Sequence, residues 1–142
     1  MIVYRISKYL SLDGKGAAKQ SNNRWNSYGT PIVYAAGSIS LAKGEMSRRV
    51  PLNLLPISDF QIMHIYLPDQ FIVELDELPQ NWDQSPQSHL TQQIGDRFLF
   101  ENEYLGLAVP SVYDKECHNF LINPKHPEFG QVKVQKTEPL YF

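Results

Sequence analysis

The sequence predicts an α+β fold, in the form of a compact, strand-rich single domain over residues 1–142. Short runs of β-branched and aromatic residues outnumber the segments in which apolar residues recur at helical spacing. No internal repeat, linker or low-complexity run separates these segments. A chain of 142 residues is also long enough to bury one hydrophobic core. These observations together favour one domain with many strands and few helices.

Seven short segments have the composition of β-strands. They are residues 1–6, 30–37, 60–67, 71–75, 104–113, 119–124 and 130–137. Pro31 stands near the beginning of the second segment, where a missing N–H is tolerated, and Pro110 is expected to end the fifth strand. The last segment alternates apolar and polar residues, which predicts a half-exposed strand.

Residues 38–49 are predicted to form a helix, because they open with a serine suited to an N-cap and continue with helical spacing. Ile39, Ala42 and Met46 form the predicted buried face. Glu45 precedes Met46 by one residue, which is about 100° around the helix. We therefore expect this carboxylate at the border of the buried face.

Residues 88–102 are predicted to form a second helix. Its predicted buried stripe consists of apolar residues at helical spacing, namely Leu90, Ile94, Phe98 and Leu99. Gly95 interrupts this pattern and is expected to be tolerated, at a cost of about 1 kcal/mol relative to alanine.

Two segments between these elements are predicted to be loops. Residues 11–23 contain small polar residues and glycines, and residues 77–86 are rich in turn-forming residues. The first is longer than a simple connection requires, and it leads directly to Arg24 and Trp25. This length indicates a binding loop.

Composition excludes several classes of protein. A formal net charge of −2 argues against direct nucleic-acid binding, and Lys43, Arg48 and Arg49 are interpreted as a solvated helix face. No apolar run approaches the roughly 20 residues of a membrane span, and the first residues are predicted to form a strand and not a signal peptide. Cys117 is the single cysteine, so no internal disulfide can form, and we expect a reducing, cytoplasmic setting.

The common catalytic and cofactor motifs are missing from the sequence. It contains neither glycine-rich nucleotide-binding loop, no HExxH and no GxSxG. The four histidines are scattered without helical pairing, so we expect no metal site. Cys117 and His118 are neighbours whose side chains would point apart in a strand, which argues against a nucleophile and base pair. His126 is interpreted as a residue that holds a turn.

An ordered set of motifs resembles the RES family, the toxins of bacterial type II toxin–antitoxin pairs. The set is RWNSYGTPIVYAAGSISLAKGE, LPQNW, TQQIGDRFL and LAVPSVYDKECHNFLINPKHPEF. The resemblance implies an ADP-ribosyltransferase-like fold that uses NAD as its substrate. It also implies a cognate antitoxin with an Xre-like helix-turn-helix domain that blocks the cleft, and it leaves a homodimer open.

The same resemblance implies a set of site residues. The catalytic residues would be Glu45, Arg24 and Tyr34, and the substrate-binding residues would be Arg24, Tyr34, Ser111 and Asn119. Breaking the nicotinamide–ribose bond develops positive charge on the ribose, which a carboxylate stabilises. A guanidinium suits the pyrophosphate. Tyr34 would either stack on nicotinamide or direct its hydroxyl at the ribose.

Each of these residues also has an ordinary structural interpretation. Arg24 would be an exposed loop residue, and Glu45 would form weak ion pairs with Arg48 and Arg49 on its helix. Tyr34 would be a strand residue with a solvated hydroxyl, and Ser111 would cap a turn. Spacing alone favours these readings, whereas the ordered family pattern favours the functional ones.

The leading hypothesis is therefore a toxin that depletes cellular NAD by hydrolysis or phosphorolysis and arrests growth. The first alternative is a toxin that transfers ADP-ribose from NAD to a protein. The second alternative is a binding module without enzymatic activity, which would leave NAD untouched.

Overall fold

The computed structural model describes residues 1–20, 23–49, 51–54 and 56–142. Its strands are β1 (Ile2–Ser7), β2 (Val33–Ala36), β3 (Gln61–Tyr66), β4 (Ile72–Glu74), β5 (Gly106–Pro110), β6 (His118–Ile122) and β7 (Lys133–Pro139). They form one seven-stranded mixed sheet in the order β4-β5-β6-β2-β1-β3-β7, in which β4 and β5 are parallel and the other neighbours antiparallel. The predicted α+β class and the seven predicted strands are confirmed.

The α-helices of the described residues are α1 (Lys15–Ala18), α2 (Ile39–Arg49) and α3 (His89–Glu101). The two longer helices were predicted, and the cap of α2 has the expected form, since the Leu41 backbone N–H donates to Ser38 Oγ at 3.0 Å. The prediction that residues 11–23 form only a loop was wrong, because α1 lies within them. This single turn contains two alanines, which have the highest helix propensity.

The buried faces of the two long helices differ from the predicted stripes. In α2 the buried residues are Leu41, Ala42 and Gly44. In α3 they are Thr91, Gly95, Phe98 and Leu99, whereas Leu90 is 43% exposed. Spacing defines the width of a buried stripe but not its rotation about the helix axis, which depends on the neighbouring segments.

The core lies on both faces of the sheet. One cluster, which includes Val3, Met63, Ile65 and Ile122, occupies one side. A second cluster brings Trp25 against Phe98 of α3, and a third joins α2 to β1 and β2. Burying each such side chain contributes roughly 1.5–3 kcal/mol, so the helices are held mainly by packing. β7 ends the sheet beyond β3 and is more exposed than its alternating sequence predicted.

The sheet is nearly divided between β1 and β2. These strands are matched by the single register pair Tyr4 and Ala36, whereas β1 and β3 are matched along the whole of β1. The Arg5 side chain occupies the gap, and its Nη1 donates to the Tyr34 carbonyl at 3.2 Å. This separation makes room for cavities next to α2, which packs over both strands.

Candidate functional site

A cavity of about 660 Å³ lies beside α2, β2 and β6. The structure brings four of the five predicted site residues to its wall: Arg24, Tyr34, Glu45 and Asn119. The fifth, Ser111, is 0% exposed and contacts the site through Glu45. Residues from distant parts of the chain thus meet around one space large enough for a small-molecule ligand.

Glu45 is presented by α2 and held from the end of β5. The Ser111 hydroxyl, one residue beyond β5, donates to Glu45 Oε1. The ordinary structural interpretation predicts ion pairs from Glu45 to Arg48 and Arg49. Within the part of the chain that the structure describes, neither ion pair is formed. The half-buried carboxylate is instead oriented by a neutral donor at the cavity wall.

Arg24 is fixed by backbone carbonyl groups of the segment that precedes α3. Its Nη1 donates to the Trp82 oxygen at 2.8 Å and to the Gln84 oxygen at 3.0 Å. Burial and the nearby Arg48 lower the pKa of Arg24, while Asp83 and Glu45 oppose this change. An arginine remains charged after such a shift, so Arg24 presents a positioned cation to the cavity.

The loop that carries Arg24 is bound to one face of α3. Gln92 Nε2 donates to the Asn23 carbonyl at 2.8 Å. The Asp96 carboxylate accepts from the Ser27 backbone N–H at 2.9 Å and from the Ser27 hydroxyl at 2.5 Å. Since residues four apart share a helix face, α3 acts as a rigid support for this loop.

Tyr34 faces the cavity with its ring but directs its hydroxyl into the protein. The hydroxyl donates to Asn26 Oδ1, and Asn26, which is 0% exposed, donates in turn to the carbonyls of Ala17 and Ser27. Burial raises the pKa of Tyr34 above its ordinary value, so the phenol stays protonated even in alkaline solution. Of the two roles considered for Tyr34, this geometry favours ring contact over a hydrogen bond to a ligand.

Among the described residues, the cavity wall carries three guanidinium groups and one carboxylate. Arg48 and Arg49, interpreted from sequence as a solvated helix face, are exposed but line the cavity together with Arg24. Lys43, the third residue of that expected face, lies 3.7 Å above the centre of the Tyr141 ring. The resulting positive potential favours an anionic ligand beside Glu45.

A smaller cavity of about 260 Å³ adjoins the first and shares Tyr34, Glu45, Arg49 and Asn119 with it. It is also lined by Arg5, a residue that the sequence reasoning missed. Burial, and then the proximity of Arg49, lowers the pKa of Arg5. Alternation along β1 places Arg5 on the same face of the strand as the buried Val3. A charged residue on a buried face is unusual, and this was the sequence signal that could have identified Arg5 as a site residue.

The contacts of His126 and Cys117 indicate structural roles and not catalytic ones. The Glu128 backbone N–H donates to His126 Nδ1 at 3.0 Å, which confirms that this histidine holds a turn. Cys117 is half-buried, and a hydrogen bond with the Asp114 side chain raises the pKa of its thiol. A protonated thiol is a poor nucleophile.

Two further observations concern only residues 1–20, 23–49, 51–54 and 56–142. Among them, no group of three or more His, Cys, Asp or Glu side chains is arranged to hold a metal ion. No helix in these ranges is both long and apolar enough to cross a membrane.

Comparison with known proteins places this architecture among bacterial toxins. A protein named Toxin Res from Pseudomonas putida is 38% identical over 140 residues, which cover 95% of this chain and 92% of that protein. A protein named Prs ADP-ribosylating toxin from a Sphingobium species is 34% identical over 131 residues, covering 89% of this chain and 80% of that protein.

The fold also matches a solved structure. A chain in the crystal structure of the M. tuberculosis MbcT–MbcA toxin–antitoxin complex superposes with a TM-score of 0.78 at 18% identity. The match covers 98% of this chain and 83% of that one, and it concerns the fold. The model of the RES domain family matches residues 2–142. The chain described here belongs to the RES domain family.

Proposed function

We propose that this chain is the toxin of a toxin–antitoxin pair and that it consumes NAD by breaking the nicotinamide–ribose bond. The observation that carries the proposal is the meeting of Arg24 and Glu45 at one cavity of about 660 Å³. Relatives that bear the name of toxin align with nearly the whole chain, which supports the biological role. Loss of cytoplasmic NAD would then arrest growth.

The cationic side of the cavity suits the NAD pyrophosphate. Arg24 is anchored through one terminal nitrogen, and Arg48 and Arg49 add two guanidinium groups at the same wall. Arginine forks bind phosphate oxygens through parallel, charge-assisted hydrogen bonds. The arginines thus hold the substrate by its anionic centre and leave the sugar free to approach Glu45.

Glu45 suits the sugar. As the bond from ribose C1 to the nicotinamide nitrogen breaks, its electron pair leaves with nicotinamide, and positive charge develops on the ribose. A carboxylate already oriented by Ser111 stabilises that charge without reorganising. The Tyr34 ring offers an aromatic surface at the same wall, against which the planar nicotinamide stacks.

Transfer of ADP-ribose to a protein is the second candidate. The Sphingobium relative carries the name of an ADP-ribosylating toxin, and the same positively charged sugar serves water, phosphate or a protein side chain as acceptor. The structural neighbour is a chain of a toxin–antitoxin complex, so the proposal includes a protein antitoxin of the Xre-like helix-turn-helix type that covers the cavity.

Product analysis tests the proposal and separates its two forms. The purified protein is mixed with NAD, with or without phosphate and cell lysate, and the products are identified by mass spectrometry. We expect release of nicotinamide together with ADP-ribose or its 1-phosphate. ADP-ribose attached to a macromolecule would favour the second candidate, and the absence of nicotinamide under all conditions would contradict both.

The buried hydroxyl of Tyr34 leads to a prediction that distinguishes its two roles. In Tyr34→Phe the ring remains, so the rate of NAD consumption should stay within about threefold of the parent. Asn26 Oδ1 loses its partner, which should lower the free energy of unfolding by about 1–3 kcal/mol in urea titrations. Tyr34→Ala, which removes the ring, should lose most activity. A large loss of activity in a stable Tyr34→Phe protein would instead assign the hydroxyl to the substrate.

A further inference from the structure

The Ser111 hydroxyl has all of its hydrogen-bonding positions occupied by the protein. Its oxygen accepts from the backbone N–H groups of Tyr113 at 3.0 Å and Asp114 at 3.2 Å, and it donates to Glu45 Oε1. A serine hydroxyl has one proton and two lone pairs. Because both lone pairs are taken by N–H donors, the proton can be directed only at Glu45.

We infer that Ser111 is a positioning residue for the Glu45 carboxylate and that it does not contact substrate. This inference rests on the proposed function, in which Glu45 is the group that faces the ribose. Ser111 is 0% exposed, so a ligand in the cavity has no surface of Ser111 to contact. With Oε1 bound to the hydroxyl, Glu45 has its second oxygen available for the sugar.

Residues 111–117, which include the N–H donors of Tyr113 and Asp114, pack against α2 beside Glu45. The Ser111 backbone N–H donates to the Cys117 carbonyl at 3.0 Å, and the Cys117 N–H donates to the Asp114 carbonyl at 2.9 Å, which closes the segment on itself. The Tyr113 ring lies over Gly44, where an added Cβ would come within 2.2 Å of a ring carbon. Gly44, directly before Glu45, leaves room for the exposed Tyr113 ring to lie against α2.

The expected consequence is a change in turnover with little change in binding. A glutamate without its fixed partner samples several rotamers and loses the preorganisation on which electrostatic stabilisation depends. A hydrogen bond to a charged group is strong enough that its loss corresponds to about tenfold to hundredfold in rate. Binding of NAD by the arginines should be nearly unaffected, because they do not contact Ser111.

The test is a double-mutant cycle on NAD consumption. Ser111→Ala should lower kcat about tenfold to hundredfold while KM changes less than about threefold. In the Glu45→Gln background the same change should cost almost nothing more, because both substitutions act through one carboxylate. Ser7→Ala is the matched control, since Ser7 is also buried and accepts a backbone N–H, from Tyr9 at 3.0 Å, and its kcat should remain that of the parent.

Two readouts keep the inference falsifiable if Ser111→Ala folds poorly. Ser111→Cys keeps a side chain of similar size at the buried position, but its thiol is a weak hydrogen-bond donor, so this variant should reproduce the loss of kcat. A crystal structure of either variant should show the Glu45 carboxylate moved from its position in the parent. A raised KM with unchanged kcat, full additivity with Glu45→Gln, or an unmoved carboxylate would overturn the inference. A parent protein that leaves NAD intact contradicts the proposed function instead, and the position of the carboxylate still decides the role of Ser111.

Discussion

Replacing Gly95 with alanine is expected to lower the free energy of unfolding by about 3 kcal/mol, the upper end of the usual range for overpacking. A Cβ built at Gly95 would lie 1.5 Å from the Trp25 carbonyl oxygen and 2.6 Å from its carbonyl carbon. Both are backbone atoms of a buried residue, so the clash cannot be relieved by a rotamer change. The expectation from sequence, that this glycine is merely tolerated in the helix, is wrong.

Gly95→Ala should also lower the rate of NAD consumption. Trp25 follows Arg24 directly, so moving its carbonyl away from α3 displaces the guanidinium from the cavity wall. Urea unfolding measures the first effect and NAD consumption the second. Gly16→Ala is the matched control, because a Cβ there meets no atom within 4 Å, and it should be neutral or stabilising by up to about 1 kcal/mol. Equal stability of Gly95→Ala and the parent would contradict the close approach.

Glu45→Gln is expected to reduce the rate of NAD consumption by about 10²–10³-fold, since it removes the negative charge that faces the developing cation. The amide is nearly the size of the carboxylate and still accepts from Ser111, so the fold should persist. Arg24→Gln removes a fixed cation, and we expect a raised KM together with a fall in kcat/KM of about hundredfold.

Residues on the far end of α3 provide matched controls for both substitutions. Arg97 and Glu101 form an exposed i, i+4 ion pair, with side chains 80% and 46% exposed. Such a pair contributes little to stability. Arg97→Gln and Glu101→Gln should therefore consume NAD at the parent rate, as measured by release of nicotinamide. If folded Glu45→Gln or Arg24→Gln protein matched these controls, the proposed site would be wrong.

Local sequence patterns predict the strands and the long helices of this fold correctly. All seven strands and both long helices were predicted, and Ser38 caps α2 as expected. These features depend on neighbouring residues, because propensity, caps and proline positions act over a few residues. The order of motifs around Arg24 and Glu45 also indicates the family, and the model of the RES domain family matches residues 2–142.

The contacts that hold the site together join residues far apart in the sequence and could not be predicted from it. Glu45 meets Ser111 across 66 residues of sequence, and Ser27 meets Asp96 across 69. The sparse pairing between β1 and β2 brings Arg5 to the second cavity. The sequence of β1 itself has the composition of a common β-strand and does not indicate this. Helical spacing left the rotation of α2 and α3 undetermined. These contacts depend on how separate elements pack against each other, and local patterns carry no information about that packing.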